Sequence, residues 1–205
     1  MKGLRRTVIL YISVAPIFAT SITCSSADNR NQVSKPKTEV NMTTADFTTT
    51  ILVSQTPEQV FRAVNNVRGW WSESIEGNTD KLEGVFLYHY KDVHISKMQV
   101  VEFVPDKKVV WLVLENHFNF TNDKTEWNGN RLIFDISRKG DKTELRFTQL
   151  GLVPAYECYH VCSDAWTSYI QGSLKDLIVT GKGRPNAKEG GLNAELVDKW
   201  KLPVK

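Results

Sequence analysis

Once its first residues are set aside, this sequence has no excess of positive charge. The 205-residue chain carries 26 Lys/Arg against 23 Asp/Glu, but residues 1–41 hold six of the basic residues and only Asp28 and Glu39 as acids. Residues 42–205 keep 20 basic and 21 acidic residues, a net charge of −1. Binding to a phosphate backbone needs a basic footprint, so nucleic acid is not an expected partner. A membrane span of ~20 apolar residues is also missing. The stretch from Thr7 to Ala27 is uncharged, but Pro16 and the polar residues from Thr20 onward interrupt it.

Catalytic signatures are absent too. There is no Gly-x-Ser-x-Gly elbow, and no carboxylate pair stands out from the solvent-facing background. Gly181-Lys182-Gly183 follows a helical pattern instead of opening one, so it reads as a helix stop and not a phosphate loop. Cys158, His160 and Cys162 invite a metal reading. On a helix the two cysteines share a face while His160 points roughly 200° away, so the three do not converge on one ion. Packed thiols are expected there, with no metal, no cofactor and no catalytic residue.

The first residues read as a leader. Lys2, Arg5 and Arg6 form a positive start, an uncharged stretch follows, and Ser25-Ser26-Ala27 offers a small-residue cleavage site. On this reading residues 1–27 are a signal peptide and the chain is exported. Two alternatives stand beside it: a lipid-modified Cys24 that anchors the chain to a membrane, or a cytoplasmic protein whose translation starts at Met42. Residues 28–44 are polar and read as a linker. Residues 186–205 are weakly patterned. Only Leu192, Leu196, Val197 and Trp200 suggest a short amphipathic turn, so this tail is expected to be weakly structured.

Between these ends the pattern is sharp. Phe47 to Val53 reads as a strand. Thr56, Pro57 and Gln59 make a capping box with proline at the first helical position, and Val60, Phe61, Val64 and Val67 follow at helical spacing. Gly69-Trp70-Trp71-Ser72 comes next. Its tandem indoles carry more apolar area than a turn needs, so one ring is expected to plug the helix–sheet junction and the other to line a pocket. Strand candidates then run from Val85 to Tyr90, His94 to Val104, Lys108 to Leu114, Asn130 to Ser137 and Thr143 to Gln149. The third is apolar on both faces, as if covered on both sides. Short turns without crossover helices imply an antiparallel sheet.

From Tyr156 to Thr180, Tyr159, Cys162, Trp166, Tyr169 or Ile170, Ser173 and Leu177 recur at spacings of three and four, and Gly181 suits the stop. A helix of about 25 residues spans roughly 37 Å and must cross the whole sheet. The expected fold is α+β, a curved antiparallel sheet gripping one long C-terminal helix, with short helices after the first strand.

In this order of motifs the chain resembles the START-like, or SRPBCC, helix-grip superfamily, in the branch similar to the C-terminal domain of activator of Hsp90 ATPase. The resemblance is carried by Thr56-Pro57-Glu58-Gln59-Val60-Phe61, Gly69-Trp70-Trp71-Ser72 and Val109-Val110-Trp111. Gly151-Leu152-Val153-Pro154, Trp166 and the Leu174, Leu177, Ile178 ending complete it, over about residues 45–185. The superfamily includes lipid carriers, hormone-binding proteins, cyclases and co-chaperone domains, so the resemblance implies a fold more sharply than a function.

The function expected is non-catalytic binding of a hydrophobic or amphipathic small molecule between sheet and helix. A protein-interaction module of co-chaperone type, with a protein partner, is the alternative, and a cyclase- or hydrolase-type enzyme a weaker one. The expected ligand-binding set is Trp70, Trp71, Phe86, Tyr88, Trp111, Phe147, Trp166, Tyr169 and Ile170, with Gln149 projecting a polar amide into the cavity. Glu115 reads as a second polar contact or as an ordinary strand residue in water.

Overall fold

The computed structural model describes residues 45–205 except residue 189. The expected signal peptide, the linker, Cys24 and the Met42 start therefore lie outside the described residues. The chain from β1 (Phe47–Val53) to the last helix folds around a seven-stranded antiparallel sheet. Its spatial order is β1-β7-β6-β5-β4-β3-β2. The strands are β2 (Glu76–Gly77), β3 (Val85–Tyr90), β4 (His94–Val104), β5 (Lys108–Phe118), β6 (Arg131–Lys139) and β7 (Lys142–Leu150). Period-two alternation sets the inner face. Phe86, Tyr88 and Tyr90, then Leu132, Phe134 and Ile136, then Leu145, Phe147 and Gln149 are buried in turn.

Helix α1 (Pro57–Asn65) starts where the capping box places it. The Gln59 backbone N–H donates to Thr56 Oγ1 at 3.3 Å, and the Thr56 N–H donates to Gln59 Oε1 at 2.8 Å. Val60, Phe61, Ala63 and Val64 turn inward. A 3₁₀ turn (Val67–Gly69) then delivers the two tryptophans. Strand β4 carries two register shifts against β5, between Lys97 and Met98 and between Val100 and Glu102. Bulges of this kind bend a strand and increase its twist, which suits a sheet that must curve around a helix.

The long helix begins at α2 (Tyr159–Thr167), three residues later than its pattern suggests. The loop between β5 and β6 stops it earlier. Both oxygens of Glu126 accept backbone N–H groups there, from Glu157 at 2.6 Å and Cys158 at 2.9 Å, satisfying orphan donors at the helix start. The helix continues through a π-helical stretch (Ser168–Leu174) into α3 (Lys175–Thr180). The wider turn is visible in the Lys175 N–H, which reaches Ile170 O. It resolves the choice between Tyr169 and Ile170, because both turn inward together with Ser173 and Leu174. Gly181 ends the helix at φ 76° in the left-handed region.

Two expectations need correction. Lys108 to Leu114 is not covered on both sides: Val109, Val110, Trp111 and Val113 are buried, whereas Leu112 is half-buried and Leu114 exposed. No helix lies on that outer face among the described residues. The tail, expected to be weakly structured, is an ordered part of the domain. After Gly183 packs against the Gly69 carbonyl, so closely that a Cβ would sit 2.2 Å from it, Asn186 becomes fully buried. Helix α4 (Gly191–Trp200) follows and buries Asn193 and Leu196. It is latched to α2 by Asp164, which accepts from Lys199 Nζ at 2.5 Å and Trp200 Nε1 at 3.1 Å. Buried side-chain amides hold this tail down together with Leu192, Leu196, Val197 and Leu202, which pack on the core.

Asn186 is the centre of that attachment. Its backbone N–H and its Nδ2 both donate to the Trp71 carbonyl, at 2.9 and 3.0 Å. Its Nδ2 also reaches the Tyr169 hydroxyl, and its Oδ1 accepts from the Asn193 N–H at 2.8 Å. Replacing Asn186 with Ala leaves buried partners unpaired, each at about 1–3 kcal/mol. We expect a loss of roughly 2–4 kcal/mol in urea unfolding. A loss under about 0.5 kcal/mol, typical of a surface position, would show that the tail is not fastened there.

Candidate functional site

The sheet, α2 and α4 line a cavity of about 60 Å³. Tyr88, Tyr90, Val93, His94, Phe118 and Phe120 line it from β3 to the end of β5 and the residues beyond, and Trp127 lines it from the β5–β6 loop. Val161, Cys162, Ala165, Trp166 and Tyr169 line it from the long helix, and Trp71 from the turn after α1. The tail closes it with Asn193, Leu196, Val197 and Leu202.

Of the ten expected ligand-binding residues, Trp71, Tyr88, Trp166 and Tyr169 meet at this cavity. Trp71 is the junction of the group. Its ring stacks on Tyr88 at 4.4 Å between centroids and tilts against Trp166 at 5.1 Å. Trp70 is the plugging ring: its Nε1 donates to Val64 O at 3.1 Å, and it packs on Trp111 and Phe134. Phe86, Trp111, Phe147 and Ile170 are likewise core, completely enclosed and away from the vacancy. They share the inner face with the true wall residues but sit where the helix closes down on the sheet.

Gln149 is a correction of a different kind. It is fully buried, but its amide is consumed by the protein. Its Oε1 accepts from Trp166 Nε1 at 2.6 Å, and its Nε2 donates to Asn130 Oδ1 at 3.0 Å. It orients Trp166 and does not face a ligand. Glu115 is exposed and pairs with Lys97 at 3.0 Å on the outer face.

Several wall residues were not legible in the sequence. His94 opens β4, and its ring lies against Tyr88, Phe118 and Trp127, at 5.0, 4.5 and 4.9 Å. A lone indole in a loop rich in Asn, Thr and Gly was the available signal for Trp127. The four tail residues had only their short amphipathic spacing.

The polar groups of the wall are tied to one another. Tyr169 donates to Asn193 Oδ1 at 2.7 Å, and Asn193 Nδ2 donates to the Tyr88 hydroxyl at 2.9 Å. Burial pushes the Tyr88 and Tyr169 phenols and the Cys162 thiol above their ordinary ranges. It lowers His94 to about 3. These four groups are therefore neutral at physiological pH, and no Lys, Arg, Asp or Glu lines the cavity. The two cysteines are buried free thiols, and Trp127 Nε1 donates to Cys158 Sγ at 3.3 Å. His160 instead stacks on Trp200 at 6.3 Å. Among the described residues no group of three or more His, Cys, Asp or Glu is placed to hold a metal ion.

With this geometry established, solved structures identify the fold. The Aha1 dimer from Colwellia psychrerythraea superposes with a TM-score of 0.55 at 21% identity, over 68% of this chain and 99% of that one. A Staphylococcus saprophyticus protein superposes with a TM-score of 0.52 at 14% identity, over 71% of this chain and 100% of that one. No protein-family model and no curated protein matches the sequence. The chain has an α+β helix-grip fold of the type seen in the Aha1 structure.

The neutral His94 makes stability depend on pH in a defined direction. Its pKa falls from an ordinary value near 6.5 to about 3 on folding, so between those values the unfolded chain binds the extra proton. The His94 contribution is complete above pH ~6.5 and is lost as the pH falls toward 3, with a slope of at most about 1.4 kcal/mol per pH unit. Urea midpoints across this range should fall more steeply for the wild type than for His94→Phe. Parallel curves would show that His94 already titrates normally in the folded protein.

Proposed function

We propose that this domain binds one small apolar molecule, without catalysis, in the cavity between the sheet, the long helix and α4. The observation that carries this reading is the wall itself: eight aromatic rings and no charged side chain surround an unfilled space. Such a site favours apolar surface, and a few polar groups suffice to orient what enters. Its size sets the ligand class. A water needs roughly 10–15 Å³ of such space, so about 60 Å³ takes four to six water-sized units, the volume of a single small ring. Ligands of typical drug size need several hundred Å³. With His94 pushed down to about 3, the Tyr88 and Tyr169 phenols pushed up and no carboxylate in the wall, these groups are poorly matched to acid–base work of a cyclase or hydrolase type near neutral pH.

Xenon and cyclopentane are suitable probes. Titrated into the ¹⁵N-labelled protein, they should shift amide resonances of α2 and α4 saturably. Ala165→Phe adds a ring where Ala165 lines the vacancy. It should abolish these shifts at a cost below about 1 kcal/mol, since added atoms fill space, whereas overpacking a closed core costs ~1–3 kcal/mol. Leu145 and Ile170 are fully enclosed and would show only overpacking. If the wild type binds neither probe and Ala165→Phe is strongly destabilised, the space is not a binding cavity. The protein-interaction reading then takes its place.

A further inference from the structure

We infer that His94 selects the ligand by donating a hydrogen bond from Nδ1–H, so that the cavity takes a small neutral molecule bearing a carbonyl or ether oxygen. The inference rests on the small-molecule reading above and adds a chemical class to it.

The argument is a chain of hydrogen bonds with one consistent direction. The Trp127 backbone N–H donates to Asn116 Oδ1 at 3.2 Å. A backbone amide can only donate, so this contact fixes which end of the Asn116 amide is oxygen. The other end, Nδ2, donates to Ser96 Oγ at 3.1 Å. Ser96 is 1% exposed, so its own proton needs a protein acceptor, and His94 Nε2 lies 2.7 Å away. The neutral imidazole accepts at Nε2 and therefore carries its proton on Nδ1.

No protein group is bonded to Nδ1. Among the described residues, the polar side-chain atoms sealed off without a partner are Asn65 Oδ1, Trp111 Nε1 and Asn119 Oδ1. Nδ1 is not one of them, so it is not sealed off, and His94 is a residue of the cavity wall. Among the other polar wall groups, Tyr169 donates to Asn193 Oδ1 and Asn193 donates to the Tyr88 hydroxyl, while Tyr90 also presents a hydroxyl to the wall. His94 Nδ1–H is thus a wall donor whose direction the chain from Trp127 fixes, whereas the Tyr88 and Tyr90 hydroxyls are free to rotate. The matching ligand atom is an acceptor, and a neutral one, because no Lys or Arg in the wall offsets the desolvation of a carboxylate.

Cyclopentanone and methylenecyclopentane test this, since they share a shape and differ in one acceptor oxygen. In the wild type, NMR titration should show the ketone bound roughly three- to tenfold more tightly than the alkene, the worth of one net hydrogen bond. His94→Phe should remove that preference while still binding methylenecyclopentane. Ser96→Ala frees the Nε2 position and should weaken the preference with the ring still in place. Imidazole ¹⁵N shifts of the unliganded wild type should show the Nδ1–H tautomer, and Ser96→Ala should lose it. An Nε2–H tautomer in the wild type, equal affinities for the two probes, or a preference surviving in His94→Phe overturns the role of His94 and leaves the binding reading intact. If neither probe binds the wild type, both inferences fall.

Discussion

Two hydrogen bonds from Asn186 to the Trp71 carbonyl tie together the elements that line the cavity. The Trp71 carbonyl belongs to a turn, and a buried turn carbonyl without donors carries a desolvation cost that the fold must remove. The chain meets it by returning 115 residues later and laying its own backbone and side-chain amides on that oxygen. Ser173 makes the parallel contact one residue earlier, donating from Oγ to the Trp70 carbonyl at 2.7 Å and accepting from the Arg184 N–H at the same distance. The tandem-tryptophan turn, the long helix and the tail are thereby one polar knot. From it Asn193 reaches Tyr88 on the sheet.

The cavity is a consequence of where this knot stops. Around Trp70, Trp111, Phe134 and Phe147 the rings pack on one another and are fully buried. Beyond Trp71 and Trp166 the sheet continues toward His94 and Phe118, and α4 must cover it from outside. Helix α4 covers it with Leu196 and Val197, is held by amides and by the Asp164 latch, and leaves a space beneath it. The result is a small apolar room with a rigid polar side. Neutral groups are the only ones compatible with it, since an unpaired charge among these rings would face the full cost of burial.

The π-helical stretch serves the same geometry. A regular α-helix would bring either Tyr169 or Ile170 to the sheet. The widened turn brings both, so Ile170 seals the core while Tyr169 joins the polar cluster with Asn186 and Asn193. Gly172 lies in this stretch beside the Arg184 guanidinium, where a Cβ would come within 3.1 Å. The close return of the tail thus shares its location with the irregular turn.

By itself the sequence determined the frame. The capping box at Thr56, the period-two faces of β3, β6 and β7, the helical spacing from Tyr159 to Leu177 and the stop at Gly181 are local patterns. Local backbone preference and one-sided burial are enough to express them. The same patterns told which rings would be inside. They did not tell which inner rings would touch one another and which would face a space, because a tryptophan filling a core and a tryptophan walling a cavity have the same periodicity. Trp70 and Trp71 are adjacent and chemically identical, and only their surroundings separate a plug from a wall. Gln149 looked free because its partners, Trp166 and Asn130, are distant in sequence. Asn186, Asn193 and His94 were not visible at all, since an amide or an imidazole leaves no hydrophobic signature and acquires its role from long-range hydrogen bonds. The tertiary structure alone decided the site, because a cavity is defined by what several distant segments fail to fill.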